Sequence, residues 1–328
     1  MFAARCIAVV SSVFFLVYVI LSLAVCWGWR RISTSCYIRN LSPGHRANLL
    51  FALRILPFAA AAAVTAAFIL PSFILLEPRA IEEPMSPLAL ALGSCGIGVI
   101  VFGVGFALAA LVRASRLISR WTSHAKAVES LVSVPVLSIN RTAPALTAAG
   151  ILRPRVLLSN AARFVLNKNE LHTALRHEMA HVHRRDNLKK LSLRFVAFPG
   201  MKKLETAWLE STEMAADDAA VESIGDALDL AAALIKLSKI TSNPRYGLES
   251  GSEELMTAFI HGSAKFINAR VERLIQWQDQ RPLAQSSYSR LYAMSAAVAM
   301  TFAIAGAFTA TYSQLLAQAH TATEWLVR

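Results

Sequence analysis

Four stretches of the chain carry no charge and almost no polarity; segments rich in Arg and Lys follow the first and the third, and a short acidic one separates the second from the third. From Cys6 to Trp29 the residues are uncharged, with an unbroken apolar run from Val13 to Leu21. A bilayer core needs about 20 such residues, more than the apolar part of a cleaved signal peptide provides. Residues 6–29 are therefore predicted to form a first, uncleaved transmembrane helix, ended by Arg30 and Arg31. Residues 55–76 are predicted as the second, with Pro57 and Pro71 near its ends, where a missing backbone donor does least harm. Residues 85–112 are the third and 291–317 the fourth, the last with Tyr292 and Tyr312 as interface anchors. In the third, Gly96 and Gly103 lie seven apart, as do Gly98 and Gly105. That spacing suits close approach of another helix, or reflects only the general frequency of glycine in membrane helices.

Between the third and fourth runs the pattern changes. Short β-like runs at 132–139, 145–152 and 155–158 are punctuated by Pro135, Pro144 and Pro154, which favours edge strands. The strand-like run at 132–139 is a candidate to bind a peptide by strand addition. From Asn169 to about Gln278 the period becomes helical. Asn169 is the expected N-cap of a helix reaching Arg185. A second helix is expected from Glu205 to Ile224, stopped by Gly225. Strands followed by helices give an α+β domain over residues 113–290.

Composition agrees with a chain partly dissolved in lipid: 55% of its 328 residues are hydrophobic, 16% are charged, and mean hydropathy is +0.47. The net charge of +12 is a topology signal. The loop 30–54 holds five Arg and no acid, and residues 113–290 hold 25 basic against 17 acidic groups. The short 77–84 connection is acidic. The positive-inside rule then puts loops 30–54 and 113–290 in the cytoplasm, and loop 77–84, the tail 318–328 and both termini outside. With no zinc-finger or RNA-binding spacing, the charge is expected to meet the bilayer and no nucleic acid directly. Cys6, Cys26, Cys36 and Cys95 have no metal-ligand spacing, so a metal site must use His and carboxylates.

Such a set is present. His177-Glu178-Met179-Ala180-His181 puts two imidazoles at i and i+4 on one helical face, able to share a zinc ion, with Glu178 in reach of a metal-bound water as general base. Glu213 and Asp217 lie one turn apart on the next long helix. Glu213 can be the third ligand, and Asp217 can accept the free N–H of a ligating imidazole. Arg176, Arg184, Arg185, Lys189 and Lys190 around the motif keep it out of the bilayer centre. Asp186 has two readings, as a partner of His177 or His181, or as a charge on a basic helix end. His172, His183 and His261 qualify as further participants by residue type alone.

The run His177–His181 followed by Arg184-Arg185-Asp186-Asn187, together with Glu213-Met214-Ala215-Ala216-Asp217-Asp218-Ala219-Ala220, resembles the integral-membrane zinc metallopeptidases of the BlaR/MecR type. The likeness extends from Gly150-Ile151-Leu152-Arg153-Pro154 to Arg270-Val271-Glu272-Arg273-Leu274. It implies a multi-pass α-helical membrane protein of a bacterial inner membrane, with a zincin-like (gluzincin) α+β domain inserted between the third and fourth spans. It also implies one zinc per chain on His177, His181 and Glu213, with Glu178 as base. The expected activity is a metalloendopeptidase in regulated proteolysis, its substrate a cytoplasmic or membrane-proximal protein such as a transcriptional repressor. The receptors of that type carry a large extracellular penicillin-binding domain after the fourth span, where this sequence has residues 318–328. A separate external sensor partner is therefore expected. The alternatives are a housekeeping membrane protease of the heat-shock or prenyl-protein type, which also pairs HExxH with ExxxD, and a non-catalytic signalling scaffold.

Overall fold

The computed structural model describes residues 2–33, 35, 38, 40–77, 86–123, 125–128, 134–140, 145–241, 257–258, 264–277 and 311–323. Among them, three helical stretches are long and apolar enough to cross a membrane: Phe2–Ile32, Pro43–Leu76 and Pro87–Thr122. They fit membrane insertion. Residues 291–310 of the expected fourth span lie outside the described residues, and 311–323 are helical. The chain divides into two compact units.

The first unit takes in residues up to Val25, Leu56–Val101 and the C-terminal helical residues 311–323. Helix α1 (Phe2–Ile32) packs there on α4 (Pro87–Thr122) through small residues. A side chain at Gly96 would come within 2.2 Å of the Ser11 carbonyl oxygen, and one at Gly93 within 2.8 Å of that of Ala8. Ser12 Oγ donates to the Ala89 carbonyl at 2.7 Å. Ala89, Gly93 and Gly96 thus form a flat stripe at helical spacing, the close-approach arrangement of membrane helices. Of the four glycines expected to make a stripe, Gly96 belongs to this seam, whereas Gly105 has open space beside it.

The second apolar stretch is α2 (Pro43–Val64), a π-helical turn (Thr65–Ile69) and α3 (Leu70–Leu76). A π turn widens the backbone ladder, and here the Ala67 carbonyl accepts from Tyr312 Oη at 2.8 Å. Arg5 and Glu77 pair at 2.9 Å.

The second unit takes in Cys26–Ile55 and Phe102–Asp279. Its centre is a sheet ordered β1 (Lys126–Val128), β2 (Val136–Ile139), β4 (Arg155–Ser159), β3 (Leu146–Ala149), β5 (Thr257–Ala258). Only β2 and β4 are parallel; the other pairs are antiparallel. Side chains alternate between the faces. Val136, Leu146, Val156 and Leu158 join one core, while Ile139, Ala149 and Leu157 pack with Trp121 from the end of α4.

The first core is closed by α5 (Asn160–Val165), α6 (Lys168–His183), α8 (Lys202–Ala220), α9 (Ile224–Thr241) and α10 (Ala264–Ile275). Helix α7 (Asp186–Phe195) follows α6 directly. The coarse architecture is thus apolar helices of membrane-spanning length together with a small mixed sheet and its helices.

Several expectations need correction. The β2 strand is interior, paired on both sides, so it is not an edge open to strand addition. Pro135 just precedes it and withdraws no donor from its ladder. The α6 N-cap is Asn167, not Asn169: its side chain accepts from Glu170 N while Glu170 accepts from Asn167 N, a complete capping box. Helix α8 stops at Ala220, where Val221 turns extended, and Gly225 lies inside α9. The break is set by Asp226, whose carboxylate accepts from Glu222 N and Ser223 N while its own N–H donates to Ser223 Oγ. The helical period after Asn169 is also interrupted, by β5. The helices run beyond the expected spans without contradicting them: α2 begins at Pro43, within loop 30–54, and α4 continues past Val112 to Thr122.

Candidate metal centre

His177 and His181 sit on the inner face of α6, where their rings meet edge to face with centroids 4.9 Å apart. Glu213 comes from α8, which runs against α6 with Ala215 and Ala216 buried. One donor atom from each of these three residues lies within 4.8 Å of the others, and all three side chains are buried. His177 Nε2 is 3.2 Å from His181 Nε2 and 3.6 Å from Glu213 Oε2. His181 Nε2 is 3.5 Å from Glu213 Oε1. Such a buried His-His-Glu cluster can hold a metal ion.

The opposite ring atoms explain the convergence. His177 Nδ1 faces Asp217 Oδ1 at 3.0 Å, and His181 Nδ1 faces Asp186 Oδ2 at 2.8 Å. Each carboxylate favours a proton on the Nδ1 it faces, which leaves both Nε2 lone pairs directed into the same small space. Two lone pairs 3.2 Å apart repel unless a cation stands between them, and a proton or a metal ion can meet that need. Asp217 thus stands behind His177 and Asp186, the residue left with two readings, behind His181. Asp186 is fully buried and also lies 3.7 Å from Arg184 and 3.6 Å from Lys189. It starts α7 directly after Arg185, whose left-handed backbone (φ 55°) makes the sharp turn that returns Asp186 to the site.

Glu178 is fully buried on the same helix. Its Oε2 accepts from Ala148 N of β3 at 2.5 Å, and its Oε1 has no hydrogen-bond partner among the described residues. Asn187 holds the same strand by donating to the Ala148 and Gly150 carbonyls at 3.0 and 3.2 Å.

The electrostatics follow from this burial. Desolvation raises the pKa of Glu178, and the nearby His181 and His177 only partly oppose it. Burial alone would lower His177, but its contacts with Asp217 and Glu213 outweigh that and raise it to about 9. Burial pushes Glu213 up, yet His181, Arg270 and His177 together bring it down to about 2. Asp217 behaves likewise: Arg270 and His177 overcome its desolvation and hold its pKa well below the usual range.

His177, Glu178, His181, Glu213 and Asp217 are therefore brought together. His172 and His183 are exposed and stand outside the donor set, and His261 lies outside the described residues. Sequence reasoning gave no role to Arg270, which is fully buried and donates to both Asp217 and Glu213. It quoted that residue only within a family likeness, and a partner 53 residues away leaves no periodic trace. Compared with known proteins, the chain matches no family model and no curated relative.

Proposed function

We propose that the chain is a membrane-bound zinc metalloendopeptidase. One observation carries this reading: two imidazole Nε2 atoms and a carboxylate converge, each imidazole held from behind by its own carboxylate, with a buried glutamate of raised pKa on the same helix. Two His and one Glu are a donor set suited to catalytic zinc, which leaves a coordination position for water or substrate. Glu178 Oε1 supports the fit, since it is a buried acceptor with no donor among the described residues. Bound there, zinc would supply Lewis acidity, lowering the pKa of water and polarising a carbonyl.

The protein's own residues do the rest. Glu178 Oε1 takes a proton from the attacking water and returns it to the leaving amine, a role suited to a carboxyl whose pKa burial has raised. Ala148 N–H holds the other oxygen and fixes the carboxylate's direction. Asp217 and Asp186 keep the imidazoles in the tautomer that presents Nε2.

The sheet beside an HExxH helix supports a zincin-like domain. The apolar helices and the distribution of basic residues support a multi-pass protein with this domain in the cytoplasm and both termini outside. The substrate in this reading is a cytoplasmic or membrane-proximal protein, a repressor-like one by resemblance.

The test is zinc content and casein hydrolysis of the full chain in detergent, beside His177→Ala, Glu178→Gln and Glu213→Gln. The expected result is about one zinc per chain in the wild type, lost or weakened in the two ligand variants, and kept in Glu178→Gln with hydrolysis abolished. A folded wild type that binds no zinc refutes the reading and leaves a scaffold.

A further inference from the structure

On helix α10 the buried positions are Ile267, Arg270 and Leu274, so an arginine occupies the middle of an otherwise apolar stripe. Burying a guanidinium incurs a large desolvation penalty, and a well-packed apolar residue often serves stability equally well or better. Its partners indicate what the arginine is for. Arg270 Nε donates to Asp217 Oδ2 at 2.8 Å and Nη2 to Asp217 Oδ1 at 2.6 Å, while Nη1 donates to Glu213 Oε2 at 3.0 Å. Asp217 Oδ1 is the same oxygen that faces His177 Nδ1. One planar group therefore fixes the carboxylate donor of the cluster and the carboxylate that orients one imidazole donor. With Oε2 of Glu213 so held, Oε1 stands 3.5 Å from His181 Nε2.

We propose that Arg270 is the positioning residue of the metal centre: its fork aligns Glu213 and Asp217, so the donor set reaches full metal affinity only while α10 is docked. This rests on the zinc reading above and assigns it a control element. A lysine cannot substitute, because a single ammonium is a point donor and cannot bridge three oxygens of two carboxylates in fixed directions. Arg273, one turn on, supplies an internal control. It pairs with Asp218 on the half-exposed rim of α8 and touches no donor.

Zinc affinity of the full chain in detergent, measured by competition with a chromophoric chelator, tests the proposal, with the visible spectrum of the cobalt-loaded protein alongside. Arg270→Lys should bind zinc about 10–100-fold more weakly, the usual range for a residue supporting metal ligands, and its cobalt spectrum should change. Arg273→Met should stay within about twofold of the wild type. A purely architectural Arg270 would lower the melting temperature of zinc-free and zinc-loaded protein alike and leave the affinity of the folded fraction unchanged. That outcome overturns the proposal. Should Arg270→Lys fail to fold, the wild type decides by reciprocity. If undocking α10 weakens zinc by that factor, saturating zinc must slow hydrogen exchange through α10 opening by the same 10–100-fold. Exchange at residues 264–275 that ignores zinc overturns it too. A wild type that binds no zinc refutes the metal reading itself, whereas tight wild-type binding shared by Arg270→Lys refutes only the role of Arg270.

Discussion

Glu178→Gln should separate catalysis from stability, and the structure sets both magnitudes. Glu178 is a buried carboxylate with one oxygen on Ala148 N–H and the other without a hydrogen-bond partner among the described residues. The substitution weakens the first contact from a charge-assisted bond to a neutral one, a loss of about 1 kcal/mol. It also removes a buried charge whose second oxygen is unsatisfied, a gain of roughly 1–3 kcal/mol. The net is between no change and a stabilisation of about 2 kcal/mol, or up to roughly 8 °C in melting temperature for a unit of this size.

The pH dependence gives the sign. A carboxyl whose folded pKa is raised binds its proton more tightly folded than unfolded, so the wild type loses stability as pH rises from about 4.3 through the folded value. The glutamine does not titrate. Its advantage should be absent at pH 4 and fully developed above the folded pKa. Thermal unfolding with chelator from pH 4 to 8 measures this, and peptide hydrolysis with zinc should fall about 10²–10⁴-fold. If the variant is less stable than the wild type at pH 8, the charge is compensated in the folded state and the argument from burial is wrong. Retained hydrolysis would remove Glu178 as the base.

Three further outcomes are expected. Asp186→Asn should weaken zinc binding about 10–100-fold with little loss of fold, read by chelator competition; unchanged affinity would leave Asp186 a helix-end charge. Arg185→Gly should stabilise the metal-free chain by about 1 kcal/mol, because Arg185 holds a left-handed backbone while exposed, and a lower melting temperature would show that its side chain matters more. Gly96→Val should weaken α1–α4 packing, since even a Cβ would meet the Ser11 carbonyl at 2.2 Å; cross-linking between cysteines introduced at Ser12 and Ala89, which meet in that seam, should drop, whereas Gly105→Val should leave it unchanged.

How far the sequence could be read depended on the range of each interaction. The α6 helix was legible because its signals are local: an i, i+4 histidine pair, an apolar face and an Asn at its start. Even there the cap was misplaced by two residues, although Glu170 three positions after Asn167 is the capping-box pattern. The strand runs at 145–152 and 155–158 were found because their apolar residues are short and bounded by proline. Their order was not, because β4 lies between β2 and β3 and pairing of that kind leaves no mark on either segment. The two-residue β5 is too short for any period to show. The histidine pair is legible from its spacing alone, whereas Glu213 and Asp217 by themselves read equally as a solvated acidic face and gain weight only beside that pair and the family likeness; Asp186 stays ambiguous because only the turn at Arg185 aims it at His181. The expected fourth span falls mainly outside the described residues.

The distance along the chain between Arg270 and its partners also bears on synthesis. Asp217 and Glu213 precede it by 53 and 57 residues, and the histidine pair comes earlier still. At about 5–20 residues per second, both histidines and both acids are made several seconds before the guanidinium that neutralises those acids. During that interval the growing polypeptide holds the two histidines and the two acids without the guanidinium that later bridges those acids. The two acids of the cluster therefore acquire their shared bridge only once α10 has been made.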